Sequence, residues 1–424
     1  MVKMIVAAPP IPGEFGPLLR LARALAARGH RITFLTGSAY REQVESAGLH
    51  FASLGGAADY DFQQFVSERA TAGLAPGPEQ LNFDWIHNFV NPMPEQHAAL
   101  QRLLEQDPDQ YLISNVFFLG AVPVKYGVPG RLPVRWVGVS VVGLAVSSDD
   151  SSFFGPVPVE AGHDPKAANR AANAQFNEAF APTRERLNAV LREMGAATEV
   201  QGFVDFVYTV PDATAVLTVP GFEFHRSDLP RTIELVGAFP AEPARRWDHP
   251  YWWPVLDGSR PVVVVTQGTL ANDDLSQLVG PALIGLADLD VTVVAALGGA
   301  DPEALALDVP ANARVATYVP FGELLPKADL LITNGGASGI HEALSSGLPV
   351  IIAGETEDKP ANAARLAYHG LGIDLGTATP TPQAIAEATA SLLADAQVKQ
   401  NVDQLAKVYA EHDPVAEIER LVLS

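Results

Sequence analysis

The sequence predicts an α/β protein of two successive domains, each built on a mainly parallel sheet. Three observations lead there. Lys3–Ala8, Leu18–Arg28 and Arg31–Thr36 read as strand, helix and strand, and parallel strands need such a crossover. The alternation restarts at Pro261–Thr266, where PVVVVT is unbroken and apolar, as a strand covered on both faces requires. Between the two series, 220–254 is rich in Pro, Arg, Asp and Trp and lacks sustained periodicity, which reads as an interdomain linker.

Taken in order, Pro9–Gly16 is a Pro/Gly loop, and Pro17 suits the first turn of a helix because its φ is fixed. Leu18, Leu21, Ala22 and Leu25 recur at helical spacing, and Gly29 supplies the stop. Phe83–Leu104 reads as helix broken near Pro92 and Pro94, Tyr111–Val116 and Val134–Val142 as strands. Ala171–Met194 reads as a long helix and Ala215–Thr218 as a strand. Ile233–Val236 is a short strand inside the linker. In the second series Val291–Ala296, Val315–Tyr318, Leu330–Thr333 and Pro349–Ala353 are strands. Leu275–Leu289, Ser338–Ser346, Pro360–Gly370, Pro382–Asp395 and a last segment around Val415–Leu423 are helices.

Composition narrows the function classes. Hydrophobic residues make up 48% and charged residues 18%, so packed cores are expected. A net charge of −21 with no basic block argues against nucleic acid and anionic membrane surfaces as partners. The absence of cysteine removes disulfides, thiolate metal sites and cysteine nucleophiles, and fits a cytoplasmic protein. MVKMIVAAPP has too short an apolar run for a secretory segment and reads as a strand. The ten histidines form neither HxxxH nor HExxH, so no metal site is expected. No GxSxG nucleophile elbow is present.

Three stretches carry candidate chemistry. LLITNGGASGIHEAL, Leu330–Leu344, runs from a strand through a glycine turn straight into a helix. Backbone approaches a ligand closely at glycine, and the N–H groups of a helix N-terminus favour an anion. The same pattern also suits an ordinary tight turn. GETEDKPAN, Gly354–Asn362, follows the next strand and offers acids for sugar hydroxyls, or else forms a solvated loop. Thr266-Gln267-Gly268-Thr269 ends the second series' first strand and suits a diphosphate contact or a capped turn. Trp85, Phe89, Phe117, Phe118, Phe153 and Phe154 line an apolar pocket or belong to the core. Trp247, Trp252 and Trp253 are expected to pin the domain junction.

Together these blocks resemble the nucleotide-sugar glycosyltransferases of the GT-B fold, the family of macrolide, antibiotic and plant secondary-metabolite enzymes. The resemblance is strongest from Tyr318 to Leu375, in YVPFGELLPKADLLITNGG, EALSSGLPVI, EDKPANAARL and GLGIDL. GEFGPLLRLARALAARGHRITFLT resembles the family's opening loop and helix. The resemblance implies two doubly wound Rossmann-like domains facing across a cleft. Residues 1–219 would bind acceptor, 220–254 would link, 255–405 would bind nucleotide sugar, and 406–424 would pack back on the first domain. It implies base contacts from Tyr318, Val319 and Phe321, and a diphosphate turn at Asn334, Gly335, Gly336, Ser338 and Gly339, with Thr269 beside it. Glu342 would take the ribose hydroxyls, and Asp358 and Lys359 the transferred sugar. Phe15, Trp85, Phe89 and Phe117 would meet the acceptor.

The chain departs from the family pattern at four positions. Asn334 stands for a usual His, and Lys359 for a usual Gln. Glu14 and Asn115 stand for the His base and its supporting Asp. The reaction implied is inverting, metal-independent transfer from a UDP- or TDP-sugar, without a cofactor, to a hydroxyl of a small lipophilic acceptor, by a monomer or homodimer. An epimerase of the same fold, or a silent relative that activates a partner enzyme, are the alternatives.

Overall fold

The structure is a computed structural model and describes residues 1–424 apart from 76, 243, 245 and 270–273. The chain forms two compact units. The first comprises Met1–Leu217, His225–Val236 and Asp413–Ser424, and the second Thr218–Phe224 and Gly237–His412. The stretch expected as a linker is thus shared between the two units, and so is 406–424.

The first unit holds β1 (Lys3–Ala7), β2 (Arg31–Thr36), β3 (His50–Ser53), β4 (Gln110–Asn115), β5 (Trp136–Ser140), β6 (Ala213–Val216) and β7 (Ile233–Leu235). They form one parallel sheet in the order β3-β2-β1-β4-β5-β6-β7. The short strand at Ile233, read as part of a linker, is the sheet's edge strand. Its pairing with β6 captures that segment for the first unit. The final helix, Pro414–Leu423, also belongs here. Its Glu419 accepts from Arg28 and meets the His30 ring, each at 2.6 Å.

The second unit holds β8 (Val262–Thr266), β9 (Thr292–Ala296), β10 (Ala313–Ala316), β11 (Leu330–Thr333), β12 (Val350–Ile352) and β13 (Gly372–Asp374). Their order is β10-β9-β8-β11-β12-β13, again all parallel. Val262 and Val264 face one apolar cluster, and Val263 and Val265 face another. This double burial is why the strand reads as an unbroken apolar run. Trp252 and Trp253 are buried in the first of those clusters, with Trp247 packed against it.

Several expected elements shift. The first helix begins at Pro12, not Pro17, because Pro12 meets the same first-turn preference earlier in the chain. Pro17 is carried inside the helix at the loss of one backbone hydrogen bond. The stretch Ala171–Met194 is two helices, Pro165–Ala179 and Ala181–Glu193, broken at Phe180. Phe83–Leu104 contains a π-helical turn, Ile86–Val90, between the helices Pro78–Trp85 and Met93–Gln106.

Within the second unit a fully buried ion pair fixes the helix Lys359–Tyr368. Arg365 Nε donates to Glu223 Oε2 at 3.0 Å, and Arg365 Nη1 donates to Ala361 O at 3.0 Å. Removing one partner leaves the other charge buried and uncompensated, which typically costs ~3–5 kcal/mol. Arg365→Met should lower the urea midpoint of the second unit by a corresponding amount. Adding Glu223→Leu to that variant should restore much of it.

Candidate active site

Each sheet has one place where neighbouring parallel strands send their connections in opposite directions. In the first unit it lies between β1 and β4, in the second between β8 and β11. Ligands of open α/β sheets bind beyond the carboxyl ends of the strands at such a point. The candidate residues gather at these two places.

In the first unit, the turn after β1 leads into the helix Pro12–Ala27, which carries Glu14 in its first turn. Glu14 therefore sits on a helix and not in the loop expected from the sequence. The dipole there favours a carboxylate. Asn115 ends β4 and is fully buried. Its Oδ1 accepts from Phe117 N–H at 2.8 Å, which fixes the amide so that Nδ2 donates to Glu14 Oε2. Glu14 and Asn115, two of the candidate residues, are thus brought together.

The aromatic candidates fall into two groups. Phe15 is buried between Phe34 and Tyr40, with its ring stacked on Tyr40 at 4.0 Å. Phe117 packs against Trp85 at 4.8 Å and Phe89 at 5.0 Å. Phe89 and Phe117 are largely buried, whereas Trp85 is half-exposed. The series continues from Trp85 through Phe203, Phe180 and Phe176 to Phe153.

In the second unit, Asn334 Nδ2 donates to Gln267 O at 2.5 Å, tying the turn after β11 to the turn after β8. Gln267 is itself buried, and its Oε1 accepts from Leu278 N and Val279 N. Gly335 has φ 97°, and a Cβ there would lie 2.8 Å from Ile352 Cγ2. A Cβ on Gly354 would lie 2.0 Å from Asn334 O. Both glycines are therefore required by close approach. Gly336 caps the helix Ala337–Ser345 with no side-chain hydrogen bond, so the first turn presents backbone N–H groups. Ser338 and the half-buried Glu342 lie on this helix. Thr269 and Tyr318 are exposed, and Phe321 approaches the Gly339 position at 4.0 Å. Val319 is buried in the core and has only its backbone to offer a ligand.

The segment after β12 is arranged differently from its sequence reading. Lys359 is buried, with Nζ donating to Glu357 Oε2 at 2.5 Å and to Thr356 Oγ1 at 3.1 Å. Glu357 is the one described non-glycine residue with positive φ, 59°. Burial pushes the Asp358 carboxyl above its usual range, against the pull of Lys359 and Asn362. Asn362 had no assigned role. Its Nδ2 donates to Gly335 O at 3.0 Å and to Asp358 Oδ2 at 2.9 Å, joining the glycine turn to the Asp358 carboxyl. Only its place in the EDKPAN block hinted at this.

The fold defines a class of two-unit α/β proteins, each unit with one parallel sheet and one switch point. The family description "Erythromycin biosynthesis protein CIII-like, C-terminal domain" matches residues 282–422. The chain is 33% identical to UDP-glycosyltransferase 2 of Phaeomoniella chlamydospora, over 98% of this chain and 94% of that one. It is 30% identical to 4'-demethylrebeccamycin synthase of Lentzea aerocolonigenes, over 99% and 98%. The solved calicheamicin glycosyltransferase CalG4 has the same fold, with a TM-score of 0.74 at 21% identity over 99% and 98% of the two chains. The chain belongs to the nucleotide-sugar glycosyltransferases of the GT-B fold. Among the described residues no helix is long and apolar enough to cross a membrane.

The helix carrying Glu342 is held from behind by His341, whose Nδ1 lies 2.6 Å from the Tyr409 hydroxyl. Burial lowers the His341 pKa from 6.5 to about 4, with Glu223 opposing and Arg365 assisting. The unfolded chain then binds this proton near pH 6.5 and the folded one near pH 4. This contribution to stability is complete above pH 6.5 and is lost as pH falls towards about 4. Its size is ~2–4 kcal/mol. His341→Gln should flatten the acid side of a stability-against-pH curve in that window, as read by urea unfolding.

Proposed function

We propose that the chain moves a sugar from a UDP- or TDP-sugar to a hydroxyl of a small lipophilic acceptor, with inversion and without a divalent metal. The observation that carries this reading is that each unit holds one built switch-point site. One is a glycine turn opening into a helix, and the other a helix-borne carboxylate tied to a buried amide. The names of the relatives, a UDP-glycosyltransferase and a 4'-demethylrebeccamycin synthase, support a nucleotide sugar and a natural-product acceptor.

In this reading the donor diphosphate lies against the N–H groups that open the helix Ala337–Ser345. Their field stabilises the charge that develops on the leaving group. Glu342, one turn further, accepts from the ribose hydroxyls. Tyr318 and Phe321 flank the base, and Asp358 with the Lys359–Glu357 pair meets the sugar. In the first unit Glu14 takes the acceptor's hydroxyl proton as its oxygen bonds to the anomeric carbon. The bond from that carbon to the diphosphate oxygen breaks on the opposite face, and the nucleoside diphosphate leaves.

The test is incubation with UDP-glucose or TDP-glucose and a panel of phenols and macrolides in excess EDTA, read by mass spectrometry. A hexose mass gain on an acceptor is expected. Loss of turnover in EDTA, restored by Mg²⁺ or Mn²⁺, would overturn the leaving-group account. Glu14→Gln should keep UDP affinity and lower kcat by ~10²–10⁴-fold on an aliphatic alcohol. Near-full activity on that acceptor would remove Glu14 as the base. Glu342→Ala should weaken UDP binding by ~1.5–3 kcal/mol in calorimetry, the usual worth of a hydrogen bond to a charged group.

A further inference from the structure

The π-helical turn Ile86–Val90 interrupts two α-helical stretches in the first unit. Such turns are rare, and they re-aim side chains, frequently at functional sites. This one lies beside the aromatic wall. Trp85 immediately precedes it, Phe89 lies within it, and both rings pack on Phe117 at 4.8 and 5.0 Å. Phe117 N–H in turn holds Asn115, which donates to Glu14. The turn also carries Asn88, between Trp85 and Phe89.

Asn88 is 4% exposed, and its side-chain oxygen finds no hydrogen-bond partner among the described residues. A buried amide oxygen left unpaired is costly, and natural structures rarely retain one without a use. Its backbone oxygen accepts from the Tyr60 hydroxyl at 3.2 Å. Burial holds the Tyr60 phenol well above its ordinary pKa, with a smaller push from the Glu14 charge. Asn88 thus lies beside the Tyr60 hydroxyl, and the adjoining Phe89 meets Phe117 at the wall that leads to Asn115 and Glu14.

We propose that Asn88 is the polar specificity residue of the acceptor site, accepting a hydrogen bond from a second hydroxyl or N–H on an aromatic acceptor. This rests on the acceptor-binding reading of the first unit. The preferred acceptor class is then a polyhydroxylated aromatic compound, one hydroxyl meeting Glu14 and another meeting Asn88. A site built to pair a hydroxyl rejects the analogue without it, because the buried group is then stranded.

The experiment is equilibrium binding of 1-naphthol and of the 1,3-, 1,5- and 2,7-dihydroxynaphthalenes, read by tryptophan fluorescence without donor. The wild type should bind at least one diol roughly tenfold or more tighter than the mono-ol. Asn88→Leu should erase that preference, and Asn88→Asp, which still accepts, should keep it. Equal binding of all four probes by the wild type, no binding of any, or a preference that survives Asn88→Leu overturns the proposal. The last result would assign the oxygen to a trapped water. Turnover assays with UDP-glucose run separately. Absent transfer with an Asn88-dependent preference refutes the transferase account and leaves the acceptor-site assignment standing. Transfer without that preference does the reverse.

Discussion

Parallel pairing of the first and fourth strands in each sheet is the constraint on which the rest depends. β1 pairs with β4 and β8 with β11, all pointing the same way. The chain leaves each pair in opposite directions, so no connection covers the gap between their carboxyl ends. Whatever residues end those strands are held a few ångströms apart by backbone hydrogen bonds. Glu14 and Asn115 meet for that reason, although 101 residues separate them in sequence. Asn334 reaches Gln267 O for the same reason across 67 residues.

The two sites use that geometry with different chemistry. The second unit works with backbone. Gly335 and Gly354 let β11, β12 and the helix Lys359–Tyr368 close in until a methyl group would not fit. Asn362 then ties the turn to Asp358. A diphosphate needs donors and a positive field rather than a shaped side-chain pocket, and N–H groups at a helix start supply both. The first unit works with side chains. A carboxylate, an amide and a train of aromatic rings can vary one by one without disturbing the sheet, whereas the backbone turn of the second unit cannot.

Much of this was legible before any coordinates. The strand–helix alternation, the double burial of PVVVVT and the glycine turn each follow from local rules, so both sheets and the turn after β11 could be located from the sequence. What escaped depends on distant partners. Ile233–Val236 reads as a strand, but its place as the edge of the first sheet comes from the open edge of β6, which IEL does not announce. Glu14 was read as a loop residue because two prolines, Pro12 and Pro17, compete for the helix start, and local preference does not choose between them. The capture of Lys359 by Glu357 needs Glu357 at φ 59°, a conformation that neighbouring sequence does not dictate. The π-helical turn leaves no periodic trace within five residues.

The buried polar groups of the second unit explain how a glycine-built site stays rigid. Glycine turns lose much entropy on folding and have no side chains to anchor them. The two helices flanking the turn are instead fixed from their far sides. His341 on one meets Tyr409, and Arg365 on the other meets Glu223. Glu223 acts electrostatically on both His341 and Tyr409, so one carboxylate serves the supports of both helices. An apolar contact would have tolerated sliding along the helix axis. Directional bonds to a buried charge do not, because a displaced partner leaves that charge unpaired. The buried ion pair therefore fixes the register of the helix Lys359–Tyr368, and the directional His341–Tyr409 contact does the same for the helix Ala337–Ser345.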